Sequence, residues 1–355
     1  MLKDTRSPKV VRLSTAADIA LGFSPGGFYC NAKLGCINLL QYYPEGCKAN
    51  CSYCGQAREN PKGSECKSLI RVQWPLRSLG EITERIRAHE TKFSRICVSQ
   101  ICRDRAASDT VTVISRLRGA GVSLPISVLV SPTVTNKGDL LEMKRTGASM
   151  AGIAIDAATP KLFDKCRGKS AGGPHRWNRY MDGLIEAVEV FGLRKAGVHL
   201  IVGLGENERD LVNLFLKIRD MGSFTHLFSF YPEEGSKMER RKQPLLNSYR
   251  RVQLSRYIID NCGASLKDFS FDESGRLVDI RLNTENVIAV DCAFRTSGCP
   301  GCNRPFANER PSQNLRNYPW KPSPKAISTA LYRTCLPIDC LIQFLNHNEK
   351  TCNYS

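Results

Sequence analysis

Three cysteines, Cys47, Cys51 and Cys54, stand four and three residues apart in the stretch EGCKANCSYCGQAR, Glu45 to Arg58. A loop this short can wrap thiolates around three corners of a cubane iron–sulfur cluster. Three ligands leave the fourth iron open to a substrate or cofactor, which separates a reaction site from an electron carrier, much as a catalytic zinc keeps an open position. A zinc site would favour a second CxxC unit or a fourth His or Cys nearby, and the loop has neither. Chance spacing is the other alternative in a chain with 16 cysteines. Placement at the end of a predicted parallel strand favours the cluster, because α/β active sites sit at strand C-termini.

A second cysteine pair, Cys299 and Cys302, forms a CxxC in RTSGCPGCNRP, Arg295 to Pro305. Its Gly- and Pro-punctuated loop can turn backbone N–H groups toward sulfur. Two thiolates do not hold a cluster alone, and Cys30, Cys36, Cys97, Cys102 and Cys292 are the other cysteines near predicted strands or the same loop. We favour Cys36, Cys299 and Cys302 as ligands of an auxiliary 4Fe–4S cluster, the remaining ligand left open. A structural zinc and inert thiols are the alternatives. Cys66, Cys166, Cys262, Cys335, Cys340 and Cys352 stand alone or in loose pairs and read as inert.

With 355 residues the chain has room for one barrel-type domain with an appendage, or for two ordinary domains. Hydrophobic residues at 42% and charged residues at 24% are ordinary for a globular enzyme. No apolar run approaches the roughly 18 residues of a membrane span. The opening MLKDTRSPKVVRLSTAADIA lacks an apolar segment followed by small residues, so neither a secretory signal nor a disulfide framework is expected, and the expected compartment is the cytoplasm. The net charge of +17 is spread over the helical segments, with one tight run at Arg240-Arg241-Lys242. A solvated basic surface is the first reading, an acidic protein partner the second and a nucleic acid the third.

Six runs are candidate strands: INLLQYY from Ile37, RICVSQI from Arg95, PISVLVS from Pro125, MAGIAID from Met150, GVHLIVG from Gly197 and THLFSFY from Thr225. Near-continuous apolar character suits strands covered on both faces. Between and after them lie helical patterns from Leu79, across TVTVISRLRGAG, and from Arg176, Glu206 and Leu245, several closing on glycine. The pattern predicts an α/β fold, a partial (βα)6 TIM-like barrel over residues 36–265, with an N-terminal cap over 1–35. A cysteine-rich C-terminal extension follows over 266–320, opening on a hairpin with its turn at Asp272–Gly275, and then a peripheral tail over 321–355.

CKANCSYC resembles the CxxxCxxC loop of the radical S-adenosylmethionine (SAM) superfamily, including the aromatic Tyr53 before the last cysteine. The resemblance implies a 4Fe–4S cluster on Cys47, Cys51 and Cys54, with SAM on the open iron. It also implies cleavage of SAM to a 5′-deoxyadenosyl radical that abstracts hydrogen from unactivated carbon, with an electron donor such as ferredoxin or flavodoxin. HLIVGLGEN, His199 to Asn207, resembles the GIVGLGET strand of biotin synthase, which lines the SAM adenine, and so assigns Gly203, Gly205 and Glu206 to the cofactor. The plainer reading is a buried strand turning into a helix, with Glu206 favoured by the dipole. AIDAATPKLF resembles the NLDT segment whose acidic residue binds the SAM ribose, a role carried to Asp156; a helix-capping Asp ahead of Pro160 is the plainer reading. Ala154 stands where biotin synthase has Asn, and SQICR stands where the family has a GGE-type motif, leaving Ser99 and Gln100 as candidates for the SAM amino group.

Gly197 occupies the position of a cluster ligand in biotin synthase. The combination of GCKANCSYCGQAR, HLIVGLGE, FSFYPEEGS and TSGCPGCNRPFANERP instead resembles the biotin-synthase-like proteins of the archaeal-type two-component lipoyl synthase. This implies sulfur insertion into a protein-bound octanoyl chain from the auxiliary cluster, an acidic lipoyl-carrier protein and a second radical SAM component. A radical SAM isomerase, lyase or maturase with a structural or redox CxxC site is the alternative. A nucleic-acid-binding iron–sulfur protein is a distant one, since the sequence offers no recognised RNA-binding fold. His175, Tyr231 and Glu233 are candidates for contact with SAM or substrate, whereas His199 and His226, inside apolar strands, read as core residues.

Overall fold

The computed structural model describes residues 5–282 and 290–345. Its main sheet has eight strands. Six are parallel: β2 (Cys36–Gln41), β6 (Arg95–Ser99), β7 (Ile126–Val130), β8 (Ala148–Asp156), β9 (Ala196–Val202) and β10 (Phe224–Ser229), adjacent in that order. These are the six runs expected from the sequence. Two more strands, β1 (Val10–Leu13) and β5 (Leu76–Ser78), extend the sheet antiparallel beyond β2. The segment read as an N-terminal cap therefore places a strand in the main sheet. A two-residue ladder, β3 (Ser68–Leu69) with β4 (Val72–Gln73), stands apart from it.

Among the described residues ten helices accompany the strands: α1 (Thr15–Ala20), α2 (Leu79–Ala88), α3 (Ala106–Gly119), α4 (Lys137–Thr146), α5 (Pro160–Arg167), α6 (Trp177–Phe191), α7 (Glu208–Asp220), α8 (Leu246–Cys262), α9 (Pro324–Tyr332) and α10 (Ile338–Leu345). Their starts follow local chemistry. Asn136 and Asn207 form reciprocal capping boxes with Asp139 and Asp210, and Thr159 caps α5 ahead of Pro160, whose missing N–H is harmless in a first turn. Among the described residues no helix is long and apolar enough to cross a membrane.

The strands present two different faces. Ile37 and Leu39, Ile96 and Val98, Val128 and Val130, Ile153 and Ile155, and Val198 and Leu200 are buried in the main core, where α6 packs on β8 and β9 and α7 on β10. The alternate residues point the other way, as the two-residue period of a strand requires, and line a cavity enclosed by the sheet.

The extension begins with the hairpin β11 (Phe269–Phe271) and β12 (Leu277–Ile280), whose turn is closed by the Gly275 N–H bond to the Asp272 carbonyl at 3.0 Å. Glu208 anchors it: the carboxylate accepts from Leu277 N–H at 2.8 Å while held by Arg251 at 2.6 and 2.8 Å. The chain then runs along β10, the end strand of the sheet, where the N–H groups of Leu227 and Ser229 donate to Ser297 Oγ at 2.7 Å and Asn308 Oδ1 at 2.6 Å. At the other side Asn303 accepts from Gly35 N–H at 2.9 Å and donates to the Lys33 carbonyl at 2.7 Å. A Cβ on Gly35 would lie 2.1 Å from the Gly301 carbonyl oxygen, so this approach needs glycine.

The stretch expected to be a peripheral tail packs instead into the main core through α9 and α10, with Ile327, Ala330, Leu331, Leu341 and Phe344 all buried. Their helical spacing outweighs the scattered polar residues and prolines around them. Cys352 lies outside the described residues.

Glu309, in the extension, is 2% exposed and accepts from Arg316 N–H at 3.0 Å; burial pushes its carboxyl up from 4.5 to about 7. Because the folded chain holds this proton more tightly than the unfolded chain, the group costs nothing below about pH 4.5 and destabilises increasingly as pH rises through 7. Glu309→Gln is expected to raise stability at pH 8 by at most about 3 kcal/mol and to lose that gain by pH 4.5. Thermal midpoints across this range measure the effect; a variant less stable than wild type at both ends would refute it.

Candidate active site

The loop after β2 carries Cys47, Cys51 and Cys54 to the C-terminal end of the parallel strands. Backbone bonds set its path: Lys48 N–H donates to the Cys102 carbonyl at 2.9 Å, and Ser52 N–H to the Cys166 carbonyl at 2.7 Å. Two of the sulfurs face backbone donors. Cys47 Sγ accepts from Ala49 and Cys102 N–H at 3.4 Å each, and Cys54 Sγ from Gln56 N–H at 3.4 Å. Burial pushes all three thiols up, Cys51 to about 12, so they hold their protons at neutral pH. A metal centre binding here would displace those protons, which couples affinity to pH. All three line the cavity, which has a volume of about 280 Å³. Three thiols on one wall, with N–H groups aimed at sulfur, fit a cubane held by three corners. Among the described residues no three His, Cys, Asp or Glu side chains gather as ligands of one metal ion, whereas a cubane assigns its thiolates to separate irons.

Tyr53 and Asp156 meet across the cavity: the Tyr53 hydroxyl donates to Asp156 Oδ2 at 2.5 Å, and Arg167 Nη1 donates to the same oxygen at 2.6 Å. Asp156 ends β8 at φ 65°, after a register shift between Ala154 and Asp156, a costly backbone for a residue with a Cβ. It does not cap a helix; Thr159 caps α5. Burial raises its carboxyl, with Arg167 acting against that. Arg167 was not singled out by the sequence. Its guanidinium also donates to the carbonyls of Ala154 and Ile155 and to the Tyr180 hydroxyl at 3.1 Å. Tyr180 in turn bonds His175 Nδ1 at 3.0 Å and Ser131 Oγ at 2.8 Å. His175 lines the cavity, and burial drives it down to about 2, so it stays neutral.

Gly203, Gly205 and Glu206 lie in the turn between β9 and α7, and Ile201 is the nearest residue of that strand on the cavity wall. Glu206 folds back on its own loop, accepting from Gly205 N–H at 2.9 Å and from Gly203 N–H at 2.5 Å. Gly203 at φ 110° packs against Pro244 and Phe230. Ser99 and Gln100 both line the cavity, but Gln100 Oε1 is engaged by Ser131 N–H at 3.0 Å and Thr135 Oγ1 at 2.9 Å. Tyr231 and Glu233 line it as well; Glu233 accepts from Ser68 Oγ and from Arg71 N–H.

A second thiol set lies on the same cavity. Cys36, Cys299 and Cys302, grouped from the sequence, are joined by Cys97 from the middle of β6. Cys36 hydrogen-bonds with Cys302, and that bond together with burial pushes its thiol up. Cys302 is pulled down, chiefly by the Cys36 bond and further by Arg304 and Arg95, whereas burial raises Cys97 to about 12. Ser127 Oγ donates to Cys299 Sγ at 3.2 Å, and Arg95 holds the loop through the Pro300 carbonyl at 3.0 Å. Cys30 is exposed, and Cys102 sits beside Cys47 instead. The four thiols fit a four-cysteine cluster in number and ligand type. Cys97 joins them through strand register, pairing with Asn38, two residues along the same strand face from Cys36.

His199 and His226, read as core residues, also line the cavity. A Cβ on Gly197 would lie 2.6 Å from His226 Nε2, so glycine there makes room for that ring, whose Nε2 is buried without a hydrogen-bond partner.

Residues 42–218, about half of the chain and including all three cysteines of the first loop, match the family described as the Radical SAM superfamily. No curated protein sequence matches the chain. Among solved structures, HydG, a maturase of the [FeFe]-hydrogenase, aligns at 13% identity and TM-score 0.50 over 69% of this chain and 52% of its own. Methylornithine synthase (PylB) aligns at 14% identity and TM-score 0.49 over 69% and 65%. HydG from Carboxydothermus hydrogenoformans aligns at 15% and 0.49 over 69% and 54%. This chain thus spans roughly half to two thirds of those proteins, and at such identities the likeness concerns the fold. Through the domain at residues 42–218 the chain belongs to the radical SAM superfamily.

Proposed function

We propose that the chain is a sulfur-inserting radical SAM enzyme acting on an octanoyl group carried by a protein lysine, in the manner of a lipoyl synthase. The observation that carries this reading is that both cysteine sets, Cys47, Cys51 and Cys54 and Cys36, Cys97, Cys299 and Cys302, line one cavity. A carbon that loses hydrogen and then gains sulfur must face both sources without leaving the pocket. When bound, the first cluster with SAM supplies a hydrogen-abstracting radical and the second supplies sulfide.

The chain's own residues position these groups. Cys47, Cys51 and Cys54 hold the first cluster, with Ala49, Gln56 and Cys102 N–H groups directed at two of its thiolates. Asp156 would accept from the SAM ribose, its carboxylate held in place by Tyr53 and Arg167. Ile201 would offer the adenine an apolar face, and Gly203, Gly205 and Glu206 shape the turn behind it. The charge of +17 suits an acidic carrier protein and an acidic electron donor such as ferredoxin or flavodoxin, with a second radical SAM component acting on the same chain.

Anaerobic reconstitution is expected to yield about eight irons per chain, falling to about four in the Cys299→Ala/Cys302→Ala variant. Incubation with SAM, dithionite and an octanoyl-lysyl peptide is expected to release deoxyadenosine, consume auxiliary sulfide and give thiolated peptide. About four irons in the wild type, with deoxyadenosine but no thiolation, would remove the sulfur-insertion reading. Separately, Asp156→Asn is expected to weaken SAM binding by about tenfold while keeping the first cluster's iron, because one charge-assisted bond is lost. Calorimetric titration of the reconstituted protein measures this, and unchanged affinity would take Asp156 out of the SAM site.

A further inference from the structure

A second cavity of about 240 Å³ lies beside the first, between α1, the loop leading to Leu34, the turn between β3 and β4, and the Arg304–Pro311 segment. Asn38, Ile70, Trp74, Arg304 and Ala307 line both cavities, so the two adjoin. The outer walls are apolar: Ile19, Phe28, Val72 and Phe306, with the Tyr29 and Phe306 rings meeting edge-on at 6.0 Å. Arg71 and Arg304 also line this cavity, Arg304 donating through Nη2 to the Ser297 carbonyl at 2.7 Å. The Nε atoms of Arg71 and Arg304 are buried and have no hydrogen-bond partner. Arg71 is held in place, its backbone at φ 77° and its N–H bonded to Glu233. A buried donor left unpaired is costly, and a bound acceptor would relieve that cost.

We infer that this second cavity is the passage through which an unbranched acyl group reaches the cysteine-lined chamber, by a route separate from the SAM face around Tyr53 and Asp156. The inference rests on the acyl-substrate reading above and adds where the chain enters and what holds it. An apolar wall accommodates methylene groups, and a lone N–H at one end can donate to one carbonyl oxygen. Arg71, which lines only the outer cavity, takes the acyl carbonyl, while the alkyl chain passes Ile70, Trp74 and Ala307 toward the thiols. Arg304, lining both cavities, is a positioning residue at the junction. The same chemistry fits an amide-linked acyl group on a tether or a free carboxylate.

The test uses full-length, anaerobically reconstituted protein and octanoyl probes bearing a diazirine at mid-chain. One arm is an amide on a lysyl peptide, the other the free acid, and labelled sites are mapped by mass spectrometry. Labelling is expected at Ile70, Trp74 and Ala307. It should be lost in Ala16→Trp, which fills the outer cavity, with iron content and thermal midpoint reporting an intact fold. Arg71→Gln is expected to weaken binding of the peptide probe about tenfold by calorimetry. Labelling by the peptide alone assigns the passage to tethered acyl groups, and labelling by both arms admits free acids; either supports it. Labels concentrated near Tyr53 and Asp156, or unchanged in both variants, would overturn it. A labelled passage without thiolated product would sink sulfur insertion alone.

Discussion

The open edge of β10 is the constraint on which the second half of the site depends. An end strand presents N–H groups that must find acceptors or water. Here Ser297 and Asn308 satisfy Leu227 and Ser229 from outside the sheet, and the segment between them contains Cys299 and Cys302. Asn303 then ties the same segment to Lys33 and Gly35, and Arg95 ties it through Pro300. Satisfying the edge and delivering the CxxC pair to Cys36 and Cys97 are one structural act.

The chamber behind that edge is electrostatically uneven. Burial favours neutral thiols and carboxyls, and raises Cys51, Cys54, Cys97, Asp156 and Glu233. Set against them are Arg95, Arg167 and Arg304, cations that line the same cavity. In low dielectric such cations favour anionic ligands, which suits the thiolate-held cluster and the carboxylate-bearing cofactor that the family implies. His175 and His199, driven by burial to about 2 and about 3, add hydrogen-bonding groups without adding charge.

Much of this architecture was legible. The six parallel strands, five of the helices and the Asp272–Gly275 turn follow from apolar runs, helical periodicity and glycine punctuation, signals that are local. Helices α9 and α10 were missed because their few buried residues are diluted by prolines and polar neighbours, and only the contact with the core shows which face matters. The strands were read as continuously apolar, yet every second residue carries the site: Cys36 and Asn38, Cys97 and Ser99, Ser127 and Ser131, Asp156, His199, His226. Reading that alternation would have moved both histidines from core to cavity.

What the sequence alone determined is the chemistry within one loop: Cys47, Cys51 and Cys54 are seven residues apart end to end, so their convergence needs no knowledge of the fold. Which distant groups join them was decided by the tertiary structure. Arg167 reaches Asp156 only because α5 folds back over the end of β8, and Cys97 reaches Cys302, more than 200 residues later, only because the extension is drawn to an unpaired strand edge. Pairings of that kind depend on strand register and edge satisfaction, which are properties of the assembled sheet and leave no fixed spacing in the chain.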